Sequence, residues 1–206
     1  MTDCFALLDE PRRPAIDLEA LKAKFLARSA ESHPDRSHGA GETERQAATD
    51  RYAALNSSYN TLRDPKERLG HLLELERGRK PSGIESVPAE WMDGFMEVGQ
   101  LCRSVDAFLA DNAKVASPLI KVQRFQQAME WTDKLNSVAG SLNAKLEAAT
   151  GELQLLNEAW ISAPPVVDSA RAHALPLDQL ERAFRTVSFL SRWIAQLRER
   201  VVRLAF

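Results

Sequence analysis

The sequence lacks the features of a disulfide-stabilised, nucleic-acid-binding or membrane-spanning protein. Its two cysteines, Cys4 and Cys102, lie far apart, so a reducing compartment is a simpler explanation than a disulfide scaffold. The net charge of −2 does not favour nucleic acid, whose binders usually carry a strong basic stripe. No apolar run is long enough to cross a bilayer, and no signal-peptide pattern is evident. We therefore expect a cytoplasmic protein with no nucleic-acid or membrane partner.

Residues that would hold a metal or a phosphate-bearing cofactor are also missing. The four histidines, His33, His38, His71 and His173, have no ligand spacing with the cysteines. No glycine-rich phosphate loop is present. We expect no metal and no cofactor. A nucleophilic pair of Cys4 with a histidine stays open as an alternative, although a buried structural cysteine is favoured.

Helical periodicity is present in most of the chain, whereas strand patterns are scarce. Asp17 can cap a first long helix, which must stop before Pro34 because the residue before a proline avoids helical geometry. Thr43 and Gln46 have the spacing of a capping box for the next helix. Its apolar stripe consists of Ala48, Tyr52, Leu55, Tyr59 and Leu62. Asp64-Pro65 then opens a shorter helix, with aspartate as cap and proline in the first turn.

The second half of the chain predicts a helical bundle. Residues 77–88 contain several glycines and prolines and are typical of a linker. Further amphipathic helices follow, and residues 163–174 are predicted to form a surface loop. We therefore predict an all-α fold with three segments: residues 1–76, a linker at 77–88, and a C-terminal bundle at 89–206.

The most informative motif is His33-Pro34-Asp35, between two antiparallel amphipathic helices. Alone, this tripeptide is weak evidence of a function, since proline and aspartate both favour turns. With the sequence Asp3-Cys4-Phe5-Ala6-Leu7-Leu8 before it and Thr61-Leu62-Arg63-Asp64-Pro65 after it, residues 3–76 resemble a J-domain along its whole length. Arg68-Leu69 and Leu72-Leu73-Glu74-Leu75 are similar to the HscB family, the J-type co-chaperones of iron–sulfur cluster assembly. This resemblance implies an L-shaped protein with a J-domain and a three-helix bundle.

In J-domains the aspartate of the tripeptide pairs with an arginine of a DnaK-type chaperone and promotes its ATP hydrolysis, so the resemblance implies no catalysis by this chain itself. The basic residues of the preceding helix would face an acidic chaperone surface. The implied chaperone-binding residues are His33, Pro34, Asp35, Lys22, Lys24, Arg28 and Arg36. Glu31-Ser32 departs from the family, whose members often have a basic residue and then a tyrosine here. The alternative for the basic residues is an ordinary solvated helix face.

In HscB proteins an apolar and acidic face of the bundle's first helix, with an aromatic of the last helix, binds the cluster scaffold IscU. The corresponding candidates here are Trp91, Met92, Phe95, Met96 and Phe189. Methionine and aromatic side chains suit an adaptable binding surface. The alternative is bundle core, which is favoured for Phe95 because apolar helix stripes usually face inward. Trp91, Met92 and Met96 lie beside that stripe and are better surface candidates.

Three functions therefore stay open. The first is an HscB-like adaptor that delivers IscU to a DnaK/HscA-type chaperone. The second is a general DnaJ-like co-chaperone with another client, because the second half resembles the family less well. The third is a structural J-like module without chaperone coupling, which Glu31-Ser32 favours and the intact tripeptide opposes.

Overall fold

The computed structural model describes residues 2–31, 41–81, 87, 91–114 and 117–205. In this part of the chain the secondary structure is entirely helical, which confirms the predicted all-α class. The helices are α1 (Cys4–Leu7), α2 (Leu18–Glu31), α3 (Glu42–Arg63), α4 (Pro65–Arg77), α5 (Met92–Asn112), α6 (Pro118–Gly151), α7 (Leu153–Ile161), α8 (Arg171–Ala174) and α9 (Leu177–Leu204).

Two of the three predicted helix caps are present. The carboxylate of Asp17 accepts from the backbone N–H groups of Glu19 and Ala20 at 2.9 and 3.1 Å. That of Asp64 accepts from the N–H of Glu67 at 2.9 Å. Each bond satisfies a donor that the first helical turn cannot pair internally.

The capping box predicted at Thr43 is wrong. Helix α3 begins one residue earlier, at Glu42, and its N-cap is Gly41, which makes no side-chain capping bond. A capping hydroxyl must precede the helix on extended backbone. Gly41 occupies that extended position with φ −67° and ψ 163°, so Thr43 already lies inside the first turn.

The described chain forms two compact units. The first comprises Met1–Ser82 and Thr150–Phe184, and the second comprises Gly83–Ala149 and Arg185–Phe206. These units do not coincide with the three predicted segments, because residues 150–184 group with the N-terminal helices. The predicted surface loop at 163–174 belongs to this inserted stretch and includes the short helix α8.

Two polar contacts fix the inserted stretch in the first unit. The side-chain amide of Asn157 on α7 accepts from the N–H of Ala15 at 3.0 Å and donates to its carbonyl at 2.9 Å. The guanidinium of Arg171 on α8 donates to both carboxylate oxygens of Glu76 on α4 at 2.9 and 3.0 Å. All three polar side chains are buried. The contacts join residues too distant in sequence for a periodic pattern to reveal.

The second unit has a predominantly apolar core shared by α5, α6 and α9. The buried residues of this core are Val98, Cys102, Val105, Leu135, Ala139, Leu142, Phe189, Leu190, Trp193, Ile194 and Leu197. Three amphipathic helices meet here, as the sequence predicts for a three-helix bundle. None of the described helices is both long and apolar enough to span a membrane.

Candidate functional site

Helices α2 and α3 form the hairpin on which the predicted chaperone site depends. Leu21 on α2 and Leu55 and Leu62 on α3 are buried. The rings of Phe25 and Tyr59 stack across the hairpin with their centroids 4.4 Å apart. These contacts place apolar side chains of both helices in one interface.

The tripeptide and the basic residue after it fall between α2 and α3 in the chain. His33, Pro34, Asp35 and Arg36 lie outside the described residues. Their predicted contact with a chaperone therefore stays a prediction. The structure shows the packed helices α2 and α3, which precede and follow these residues in the chain.

The basic residues predicted on α2 differ in their surroundings. Lys22 is exposed. Lys24 donates from Nζ to the carbonyl of Asp9 at 2.7 Å and to the carboxylate of Glu10 at 2.6 Å. Arg28 donates to the carbonyl of Leu7 at 3.0 Å. The structure thus uses Lys24 and Arg28 to hold the chain that follows α1, while both side chains keep about a third or more of their surface exposed, at 36% and 42%.

The turn that receives these two side chains has an unusual backbone. Asp9 adopts a positive φ of 54°, a left-handed conformation that aspartate tolerates better than most residues. The turn brings backbone carbonyls of residues 7 and 9 to α2. Sequence reasoning missed this contact because it depends on one non-helical residue rather than on periodicity.

A buried arginine, Arg68, stabilises the base of the hairpin. In the sequence it is recognisable only as part of the Arg68-Leu69 family motif. Arg68 on α4 donates to the carbonyls of Pro14 and Leu62 at 2.9 and 2.7 Å. Burial lowers the pKa of Arg68 to about 10, against the opposing effect of Asp64. The side chain stays charged at neutral pH and joins the end of α3 to the segment before α2.

The predicted client-binding residues divide into exposed and buried groups. Met92, Phe95 and Met96 on α5 are 44%, 43% and 56% exposed, and Trp91 is half-buried. Phe95 is therefore not a core residue, although its position in an apolar helix stripe predicts burial in the bundle core. Phe189 is 3% exposed and packs against Trp193 with ring centroids 6.0 Å apart, which corresponds to the core alternative, and its contact with a client stays a prediction.

A cavity of about 200 Å³ lies beside these residues, and it involves both groups. Phe95 and Phe189 line it from α5 and α9, together with Val98, Gly99 and Trp193. The ring centroids of Phe95 and Trp193 are 6.4 Å apart. Of the three exposed apolar side chains, Phe95 lines the cavity, whose lining also includes Arg192 and Gln196. Exposed apolar side chains beside a recess with a few polar groups are suited to protein recognition.

Neither a metal centre nor a reactive cysteine is found in the described part of the chain. No three histidine, cysteine or acidic side chains there are close enough to hold a metal ion. Cys4 and Cys102 are free and buried. Burial raises the pKa of the Cys102 thiol, so its nucleophilic thiolate is disfavoured. The backbone N–H of Cys4, rather than its thiol, contacts a histidine: it donates to Nε2 of His71 at 3.1 Å.

Comparison with known proteins gives bacterial relatives that are homologs of one co-chaperone. The chain is 31% identical over 157 residues to a co-chaperone protein HscB homolog of Paraburkholderia phytofirmans, covering 72% of this chain and 82% of that protein. It is 32% identical over 149 residues to the homolog of Paraburkholderia xenovorans, with the same shares covered. No family model matches the chain.

A solved structure shares the fold. The crystal structure of human co-chaperone protein HscB matches with a TM-score of 0.62 and 17% identity, covering 98% of this chain and 81% of that one. This match supports the all-α fold over nearly the whole chain. Because the sequence identity and coverage of the bacterial relatives extend well beyond one motif, the chain belongs to the HscB family of co-chaperone proteins.

Proposed function

We propose that this co-chaperone stimulates ATP hydrolysis by a DnaK/HscA-type chaperone and delivers to it an IscU-type scaffold protein of iron–sulfur cluster assembly. The observation that carries the proposal is the identity with HscB homologs over 72% of the chain. The protein acts as an adaptor without chemistry of its own, and it works in the cytoplasm.

The chaperone-facing step depends on the loop between α2 and α3. Asp35 pairs with an arginine of the chaperone, Pro34 stiffens the loop and His33 adds polar contacts. Exposed Lys22 on α2 is available to an acidic chaperone surface. Lys24 and Arg28 contribute through their exposed portions while their internal bonds limit side-chain motion. A side chain that is already ordered loses less conformational entropy on binding.

The client-facing step depends on α5. Met92, Phe95 and Met96 expose apolar surface, and Phe95 also lines the cavity beside Trp193. Burying such surface is the main favourable term in protein association. Methionine side chains can adjust to the shape of a partner because they are unbranched and flexible. The two steps use different units of the chain, as an adaptor requires.

The test is single-turnover ATP hydrolysis by the DnaK-type chaperones of the same organism, with and without this protein. We expect the wild type to accelerate hydrolysis by one of them. Asp35→Asn should abolish the acceleration, since truncating one partner of a close interfacial charge pair costs about 2–5 kcal/mol. The matched control is Asp133→Asn, at an exposed position on α6, which should stimulate like the wild type. Full stimulation by Asp35→Asn contradicts the proposed mechanism.

A J-like module without chaperone coupling is the second candidate. The internal engagement of Lys24 and Arg28 favours it, because these charges are partly neutralised by Glu10 and Asp9. The same assay decides: failure of the wild type to stimulate any of the chaperones would select this candidate. A general DnaJ-like co-chaperone would instead stimulate a chaperone and fail to bind the scaffold protein.

A further inference from the structure

An exposed row of side chains on α2 combines one cation with two leucines. Lys22, which the proposed function assigns to the chaperone contact, is exposed, and Leu18 and Leu26 lie four residues before and after it. Residues four apart on a helix are neighbours on its surface. Leu18 is 49% exposed and Leu26 is 55% exposed. The surface of α2 around Lys22 is therefore apolar as well as basic.

The two other cations predicted on α2 form a different row and have partners inside the first unit. Nζ of Lys24 donates to the carboxylate of Glu10 at 2.6 Å. The guanidinium of Arg28 donates to the carbonyl of Leu7 at 3.0 Å. Both side chains thus direct N–H groups at the turn that follows α1. A partner that approaches α2 at Lys22 does not meet a uniformly basic helix face.

We infer that Leu26 is a specificity-determining residue of the chaperone-binding surface. The DnaK-type partner covers the row formed by Leu18, Lys22 and Leu26 with apolar side chains around a single carboxylate that pairs with Lys22. It does not present a broadly acidic surface to α2. This inference rests on the proposed stimulation of a DnaK-type chaperone and specifies the chemistry of that chaperone's contact surface.

The position of Leu26 along α2 supports the chaperone as the occupant of this row. Helix α2 ends at Glu31, and the His33-Pro34-Asp35 tripeptide follows in the chain. Leu26 is five residues before that end, about 8 Å along the helix axis, whereas Lys22 is farther away. A standard interface buries about 800 Å² per partner and is about 30 Å across. A chaperone that contacts both the tripeptide and Lys22 therefore also covers Leu26.

The chemistry of the row determines what can cover it. Carboxylates placed against Leu26 would lose water without gaining a hydrogen bond, which is unfavourable. Apolar side chains at the same place would bury leucine surface, which is favourable. Interfaces commonly surround such an apolar centre with polar groups, and Lys22 provides one here. Because salt screens charges but not apolar contacts, the chaperone contact should depend only weakly on salt.

The experiment titrates the full chain into single-turnover ATP hydrolysis by the DnaK-type chaperone that the wild type stimulates, at low and high salt. The test variant is Leu26→Gln. The matched control is Leu155→Gln on α7, which changes a leucine that is 79% exposed in the same unit. Leu26→Met keeps an apolar side chain of similar size at the tested position. Circular dichroism checks that each variant is folded.

We expect Leu26→Gln to raise the concentration for half-maximal stimulation about tenfold, because about half of a leucine side chain is no longer buried as apolar surface. The hydrolysis rate at saturation should stay unchanged, since Asp35 rather than Leu26 triggers hydrolysis in the proposed mechanism. Leu155→Gln and Leu26→Met should behave like the wild type. High salt should change the half-maximal concentration of the wild type by less than about threefold.

Wild-type behaviour of Leu26→Gln overturns the inference and leaves the proposed function intact, because the wild type still stimulates the chaperone. A more than tenfold effect of salt on the wild type also overturns it, since charge would then dominate the contact. If the wild type stimulates no chaperone, the proposed function is wrong, and the inference fails with it. Sedimentation of the protein alone tests the other occupant: a dimer that Leu26→Gln dissociates would assign the row to a second copy of the chain and overturn the inference.

Discussion

The two units differ in how they use buried polar groups. Among the described residues, the buried polar or charged side chains of the first unit are Ser29, Ser58, Arg68, Glu76, Asn157 and Arg171, whereas the second unit has Ser188. The first unit must fix irregular segments, such as those around Ala15 and Pro164, whose backbone groups require partners. The second is built from long helices that satisfy their own backbone. Apolar packing is sufficient to hold the helices of the second unit together. In the first unit, directional hydrogen bonds and ion pairs also hold the irregular segments in place.

The largest expected effect comes from breaking the buried ion pair of the first unit. Arg171→Met leaves Glu76 buried, with Arg12 at 3.8 Å as its remaining cationic neighbour. Removing one member of a buried pair costs about 4 kcal/mol because it leaves an uncompensated charge. We expect the free energy of unfolding in urea to fall by this amount. Hydrogen exchange should increase in residues 150–184 before it increases in α5.

Two controls sharpen this test. Arg45→Met removes an exposed pair with Glu42, 50% and 84% exposed, and should cost no more than about 0.5 kcal/mol. Replacing both Arg171 and Glu76 by methionine should recover most of the loss, since an apolar pair does not carry the desolvation penalty. A double variant as unstable as Arg171→Met would mean that the bond of Arg171 to the Pro164 carbonyl is the important contact.

A somewhat smaller effect is expected from the apolar core of the second unit. Leu190 is fully buried there. Leu190→Ala should cost about 3 kcal/mol through lost apolar contact and the cavity left behind. Hydrogen exchange should increase in α5 and α6 rather than around Ala15. If hydrogen exchange in this variant instead increases around Ala15, the segment that Asn157 binds, the two units are not stabilised separately.

The smallest effect is a pH dependence specific to the first unit. Burial lowers the pKa of His71 below its ordinary value of 6.5, assisted by Arg12 and opposed by Asp3 and Glu74. Nε2 of His71 accepts the N–H of Cys4 at 3.1 Å, and protonation would replace this acceptor by a donor. As pH falls below about 6.5 the unfolded chain binds a proton that the folded chain resists, so stability decreases.

His71→Gln tests this effect because glutamine can accept the same bond without titrating. Urea unfolding at about pH 7 and about pH 5 should show a shallower loss of stability for His71→Gln than for the wild type. Identical losses would assign the pH dependence to other groups.

The packing of the hairpin and two of the three helix caps could be predicted from sequence because their signals are local. The apolar stripe that includes Leu55 and Leu62 predicts the buried face of α3, and both residues are buried. Asp17 and Asp64 lie next to the N–H groups that they cap. Periodicity and capping depend on residues within a few positions of one another.

The rest depends on contacts that sequence patterns do not encode. Arg171 lies in a stretch that contains Pro164-Pro165 and is predicted to be a surface loop, yet its partner Glu76 is on α4. Phe95 and Phe189 are both predicted to contact the client, but Phe95 is exposed and Phe189 is buried. Which part of a stripe is covered depends on where neighbouring helices lie, and this is a tertiary property.

The pairing of Asn157 with Ala15 has a consequence for tolerance to substitution. Because Asn157 contacts the N–H and carbonyl of residue 15 rather than its side chain, other small residues with an N–H can replace Ala15 and keep both bonds. Position 157 has no such freedom, since an amide provides an acceptor and a donor together. In a saturation screen for folded protein, position 15 should accept glycine and serine, whereas position 157 should reject even aspartate. The two partners of one contact would therefore accumulate sequence change at unequal rates.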